Sequence, residues 1–157
     1  MLSAKLEASM KALGTDYIDV MLLGYYNWHP AQWVLNGALK LKEKQKVRFI
    51  GMTGHNRSLV PKLEKENIID VFHVRYNAVH RGAEKDIFPL LDKDHKPGIV
   101  SFTATCWGKL LDSKEMPQNE SALTAADCYR FVLSNPSVDI TLTGPKTLEQ
   151  MRENLSV

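Results

Sequence analysis

Tyr17-Ile18-Asp19-Val20-Met21-Leu22-Leu23 is a short, nearly continuous apolar run, and Gly24-Tyr25-Tyr26-Asn27-Trp28 follows it as a turn. A strand that is apolar on both faces belongs to a parallel sheet covered by helices, because a sheet with one wet face alternates instead. The turn carries as much information as the run. An open, doubly wound sheet that binds a dinucleotide places a glycine-rich turn after its first strand. This turn has one glycine among aromatic and amide residues. Both an open doubly wound sheet and part of a barrel fit the apolar run, and the missing glycine fingerprint favours the barrel.

Outward from this strand, helix and strand alternate to both ends. Upstream, Leu2, Leu6, Met10 and Leu13 recur at helical spacing, and Gly14 stops that helix. Downstream, a helix is predicted from about Pro30 to Lys44, with Trp33, Val34, Ala38 and Leu41 as its apolar face. Strands are predicted at Val47–Met52, Val71–Tyr76, Ile99–Thr103 and Val138–Thr143. Helices are predicted at Ser58–Glu66, Ala83–Leu91 and Thr124–Leu133, with a last one starting near Thr147. Thr124 with Asp127, and Thr147 with Gln150, have the spacing of capping boxes. Asp112–Ser121 is polar, contains Pro117 and reads as a surface loop. The sum is one leading helix and five parallel βα units, an α/β chain read as a single domain over residues 1–157, with part of a TIM (β/α)8 barrel favoured over an open sheet that still fits.

Composition narrows the function. The 157 residues are 44% hydrophobic and 24% charged with a net charge of +2, the balance of an ordinary globular protein. No basic block stands out, so nucleic acid is not an expected partner. No apolar stretch is long enough to cross a bilayer, and Met1–Lys11 reads as an amphipathic helix rather than a signal peptide, so the expected location is the cytoplasm. Cys106 and Cys128 lack metal or redox spacing and read as small buried hydrophobes. His29 precedes Pro30 at a helix start, His73 sits in an apolar strand as a hydrogen-bonded core histidine would, and His55, His80 and His95 lie in polar contexts. No two histidines share a metal-like spacing, and no metal is expected.

Ligands of parallel α/β proteins bind at the carboxyl ends of the strands. Here those ends read Gly24-Tyr25-Tyr26, Thr53-Gly54-His55-Asn56, Arg75-Tyr76-Asn77, Thr103-Ala104-Thr105-Cys106-Trp107 and Thr143-Gly144-Pro145-Lys146. The last combines a glycine that lets backbone approach a ligand, a cation, and the free N–H groups of a helix start. That combination suits a phosphate, although spacing alone favours an ordinary capped helix beside a solvated lysine. Thr53 suits either a carboxamide ligand or its own turn, and Phe102 either stacking or the core.

Leu13-Gly14-Thr15-Asp16-Tyr17-Ile18-Asp19 resembles the approach to the fourth barrel strand of aldo-keto reductases. The likeness continues in order: Val47–Thr53 resembles the fifth strand, Val71–Arg81 the sixth, Gly98–Leu111 the seventh with its loop, and Thr143-Gly144 through Glu153-Asn154 the end of the cofactor site. The resemblance implies an oxidoreductase that moves hydride between NADP(H) and a carbonyl or alcohol. It implies that Thr53 binds the nicotinamide carboxamide, that His73 stands where many members have a carboxamide-binding Gln, and that Phe102 stacks on the nicotinamide. Gly144, Lys146, Gln150 and Asn154 match the region holding the adenosine 2′-phosphate and adenine, and a cation at Lys146 favours NADP over NAD.

The departures are as informative. Many members follow the carboxamide-binding hydroxyl with Asn, and this chain has Gly54. Gly24 stands where a catalytic His commonly ends the fourth strand, and the family's catalytic Tyr, Lys and Asp belong to strands one to three. No catalytic residue is therefore assigned, and the chain is expected to be a truncated member, poorly active alone. Tyr25, Tyr26 and Tyr76 lie near strand ends, with no Lys–Asp pair placed to tune them. A non-catalytic nucleotide-binding or protein-association module is the alternative, since open sheet edges invite self-association or pairing with another chain. A phosphosugar isomerase would need paired Lys and Glu at strand ends, and these five ends carry no carboxylate.

Overall fold

The computed structural model describes residues 2–92, 94 and 96–157; the reading of His95 lies outside them. The elements are α1 (Leu2–Leu13), β1 (Ile18–Tyr25), α2 (Gln32–Glu43), β2 (Val47–Thr53), α3 (Val60–Glu64), β3 (Val71–Arg75), α4 (Ala83–Asp86), β4 (Gly98–Phe102), α5 (Ala125–Leu133), β5 (Ile140–Thr141) and α6 (Leu148–Asn154). Short 3-10 turns precede α3, follow α4 and occupy Lys109–Leu111 and Ser113–Glu115. The five parallel strands form one sheet in the order β1-β2-β3-β4-β5. Sequential order without a reversal leaves no topological switch point, so the doubly wound alternative is excluded and the order is that of consecutive barrel strands.

By its internal contacts the chain divides into two compact units, Met1–Phe72 with Leu90–Pro97, and His73–Pro89 with Gly98–Val157. In the first, α2 buries Val34, Leu35, Ala38 and Leu41, and β2 buries Val47, Ile50 and Met52. Trp33, expected on this face, is 73% exposed, and Leu35 is fully buried instead. At 100° per residue, Trp33 and Leu35 flank the Val34, Ala38 and Leu41 stripe on opposite sides by about 100° each, and the fold covers the Leu35 side. The Asp70 carboxylate ties the unit together by accepting from the Ile50 N–H at 2.8 Å and from Lys42 Nζ at 2.7 Å.

β1 is not the fully buried strand its composition suggests. Val20 pairs with Phe49 and Leu22 with Gly51, and Val20, Leu22 and Phe49 are 41%, 44% and 41% exposed. The run is apolar on both faces, as a barrel strand is, but helices cover only the face of Ile50 and Met52. Gly51 makes room for this pairing: a Cβ there would sit 2.7 Å from Leu22 Cδ2.

In the second unit, β4 buries Ile99, Val100 and Ser101, and α5 buries Ala126, Cys128, Tyr129 and Val132. Ser101 is fully buried and donates to Thr141 Oγ1 at 2.9 Å, which satisfies its hydroxyl. The predicted Thr124/Asp127 capping box forms in both directions. At α6 only half of one forms: Thr147 Oγ1 accepts from the Gln150 N–H, but Gln150 Oε1 accepts from Lys146 N, one residue before the cap. β5 is two residues, shorter than Val138–Thr143, because past Leu142 the chain turns to side-chain partners: Thr143 Oγ1 accepts from Tyr129 Oη and Asn154 Nδ2. Cys106 and Cys128 are free buried thiols packed with Leu110, as small hydrophobes.

Candidate nucleotide site

In the second unit, the loops after β4 and β5 and the start of α6 enclose a cleft of about 360 Å³. Four of the residues singled out from sequence line it together: Gly144, Lys146, Gln150 and Asn154. The other walls come from Thr105, Trp107 and Gly108 after β4, from Leu111, and from Ala125 and Tyr129 of α5. Tyr129 was not legible as a site residue, since in sequence it is one more apolar position of an amphipathic helix. Trp107 sits within a strand end that sequence marks as ligand-facing, and its type was the available signal.

The cleft's electrostatics are simple. Lys146 is exposed and, among the described residues, its ammonium has no carboxylate partner. Glu153 also lines the cleft, where its Oε1 accepts from the Ala125 N–H at 2.9 Å. One unpaired cation beside carboxamides and a hydroxyl is a donor set that fits a phosphorylated nucleoside. The preorganisation is partial: the Gln150 carboxamide oxygen is held by Lys146 N at 2.7 Å, and Asn154 Nδ2 by Thr143 Oγ1 at 2.5 Å. Among the described residues, the Gln150 Nε2 donor and the Asn154 Oδ1 acceptor have no hydrogen-bond partner.

The remaining three candidates lie elsewhere. Phe102 and His73 belong to the second unit but do not line the cleft. Phe102 ends β4, half-buried. His73 is half-buried in β3 and, among the described residues, has no hydrogen-bond partner, which corrects its reading as a satisfied core histidine; burial holds its imidazole below the usual pKa. Thr53 ends β2 in the first unit, half-buried, with its carbonyl accepting from the Tyr26 N–H at 2.8 Å. Beside it, Asn27 Oδ1 accepts from His55 N at 2.7 Å and from Asn56 N at 3.0 Å, and Asn27 Nδ2 donates to Tyr25 Oη at 2.6 Å.

Catalytic groups do not emerge from the tyrosines. Tyr76 is buried, and its hydroxyl donates to Glu84 at 2.7 Å. Burial and the Glu84 hydrogen bond push its phenol up, opposite to the tuning an acid near neutral pH requires. Among the described residues, no three His, Cys, Asp or Glu side chains group as a metal site would.

The fold is that of an α/β barrel segment, and comparison with known proteins names the family. The aldo/keto reductase family model matches residues 1–127, so the chain belongs to the aldo/keto reductase family. The matched segment ends before the loop after β5, so Gly144, Lys146, Gln150 and Asn154 lie beyond it. No curated protein matches. Among solved structures, an aldo-keto reductase from Bacillus halodurans is similar in its holo form at 19% identity and TM-score 0.79, over 98% of this chain and 59% of that one. Its apo form is similar at 20% identity and TM-score 0.81, over 98% and 60%. The glycerol dehydrogenase of Gluconobacter oxydans is similar at 17% identity and TM-score 0.74, over 98% and 57%. At these identities the likeness shows the fold: a partial (β/α)8 barrel. The chain spans about 60% of the length of the solved structures it matches.

Proposed function

We propose that this chain is an NADP(H)-linked oxidoreductase module acting on carbonyl or alcohol substrates, with the cleft of the second unit taking the adenosine 2′-phosphate end of the cofactor. The carrying observation is that Gly144, Lys146, Gln150 and Asn154, far apart in side-chain chemistry, line one cavity. Lys146 receives the phosphate as a point charge, Gly144 lets the backbone approach, and Gln150 and Asn154 present amide groups to the base. The family assignment supports Thr53, His73 and Phe102 as the nicotinamide-side residues. When bound, the nicotinamide supplies the hydride that converts a carbonyl to an alcohol.

The same chain lacks an assigned proton donor, since Gly24 replaces the usual histidine and Tyr76 is tuned the wrong way. Alone, it binds the nucleotide and turns over poorly. We place it in the cytoplasm, as one domain over residues 1–157; among the described residues no helix is long and apolar enough to cross a membrane. NADPH fluorescence titration followed by an oxidation assay on a carbonyl panel tests both halves. Enhanced NADPH fluorescence with little turnover is expected; robust turnover contradicts the second half, and no fluorescence change contradicts the first.

A non-catalytic association module is the second reading, favoured by exposed apolar strand residues. Val20, Leu22 and Phe49 form one such set in the first unit, and Ile140 and Leu142, at 56% and 47% exposure, another in the second. Light scattering tests it: self-association is expected, and a strictly monomeric, well-folded species counts against it.

A further inference from the structure

We infer that Trp107 is a ligand-binding residue of the cleft, its indole forming the wall on which the base or ribose of the bound nucleotide packs. The inference rests on the nucleotide reading of the cleft proposed above.

Trp107 is 61% exposed, so the largest apolar side chain of the unit gains little from burial. Its backbone is costly as well. Trp107 has φ +58°, between Cys106 at +51° and Gly108 at +86°. The left-handed region is disfavoured for any bulky L-residue, and here two occupy it in succession. An exposed tryptophan in a strained conformation, with little burial in return, is the pattern found where structure is bent to a ligand.

The restraints that impose the conformation are visible. Asn77 is fully buried, and its Nδ2 donates to the Thr103 carbonyl at 2.8 Å, fixing the loop's start. The Cys106 N–H donates to the Thr103 carbonyl at 2.8 Å, and the Gly108 N–H to Thr105 O at 3.0 Å. The ring itself is oriented from two sides. The Arg75 guanidinium lies over it at 5.9 Å, and His80 meets it at 88° with centroids 5.8 Å apart. A ring set in one orientation, open to the cleft that holds Lys146 and Gln150, is preorganised for stacking, which every nucleobase accepts.

Trp107→Gly separates a ligand role from a packing role. Glycine adopts φ +58° at no steric cost, which offsets its own entropy cost and the two lost ring contacts, so the variant melts within a few degrees of the parent. Calorimetric titration of the full chain with adenosine 2′,5′-bisphosphate is expected to show binding to the parent, weakened about tenfold or more in Trp107→Gly and within about threefold in Trp107→Phe. Equal affinity in Trp107→Gly overturns the inference and leaves the nucleotide reading standing. Melting of Trp107→Gly well below the parent also overturns it, because the side chain is then structural. A parent that binds no bisphosphate removes the nucleotide reading itself, and the inference with it.

Discussion

Restoring the family's asparagine after Thr53 should damage this chain rather than repair it. A Cβ at Gly54 would sit 2.0 Å from the Tyr26 carbonyl oxygen and 3.0 Å from its carbon. Ordinary contact begins at 3.4 Å, so the two backbones must separate by about 1.4 Å. Four hydrogen bonds span that approach: Tyr26 N to Thr53 O at 2.8 Å, His55 N and Asn56 N to Asn27 Oδ1 at 2.7 and 3.0 Å, and Asn56 Nδ2 to Asn27 O at 2.9 Å. Each contributes about 0.5–1.5 kcal/mol net, and the loops are partly solvated, so losing most of them costs about 3 kcal/mol. For a chain of this size that is a melting-temperature drop of roughly 6–12 °C. Circular-dichroism melts of Gly54→Ala and Gly54→Asn measure it, and Ala isolates the Cβ from the amide. If Gly54→Ala melts within about 2 °C of the parent, the close approach is not part of the folded state and the reasoning fails.

Removing the Asp70 carboxylate by Asp70→Ala leaves the Ile50 N–H and Lys42 without their acceptor and should cost about 1–3 kcal/mol by urea unfolding. Thr124→Ala breaks the capping box of α5 and should cost about 1 kcal/mol in the same measurement, with Thr124→Ser close to the parent. His73 gives a signed pH dependence. Its folded pKa lies below the unfolded value of about 6.5, so the unfolded chain takes up the proton first, and stability falls as pH drops through that value. His29 works the other way, because the Glu66 hydrogen bond raises it, so the test is a difference: His73→Gln should lose less melting temperature than the parent between pH 7.5 and 5.5, to be set at about those values. Lys146→Ala should weaken adenosine 2′,5′-bisphosphate binding roughly tenfold in calorimetry while leaving 5′-AMP nearly unchanged.

Local chemistry was the most legible part of the fold. Gly14 adopts φ +67° where α1 stops, and Thr124 and Asp127 cap α5 from both sides, because these signals act within a few residues. Tertiary context decided the rest. Nothing local distinguishes Trp33 from Leu35 until the sheet chooses which side of α2 to cover, and Val20 and Leu22 are apolar for a face that the described helices leave open. The cleft was legible as residue types at strand ends, Gly144 and Lys146 above all. Trp107 was legible as a strand-end residue but not as a fixed wall, which depends on a run of left-handed backbone, and Tyr129 was not legible at all, since its place depends on where α5 lies.

The backbone amide spectrum of the isotopically labelled chain, recorded with and without adenosine 2′,5′-bisphosphate, tests most directly the proposal that the cleft takes a nucleotide. The account predicts that the amides of Gly144, Lys146, Gln150 and Asn154 move together with the Trp107 indole N–H. Saturable shifts confined to other residues, or no shifts at millimolar ligand, contradict it.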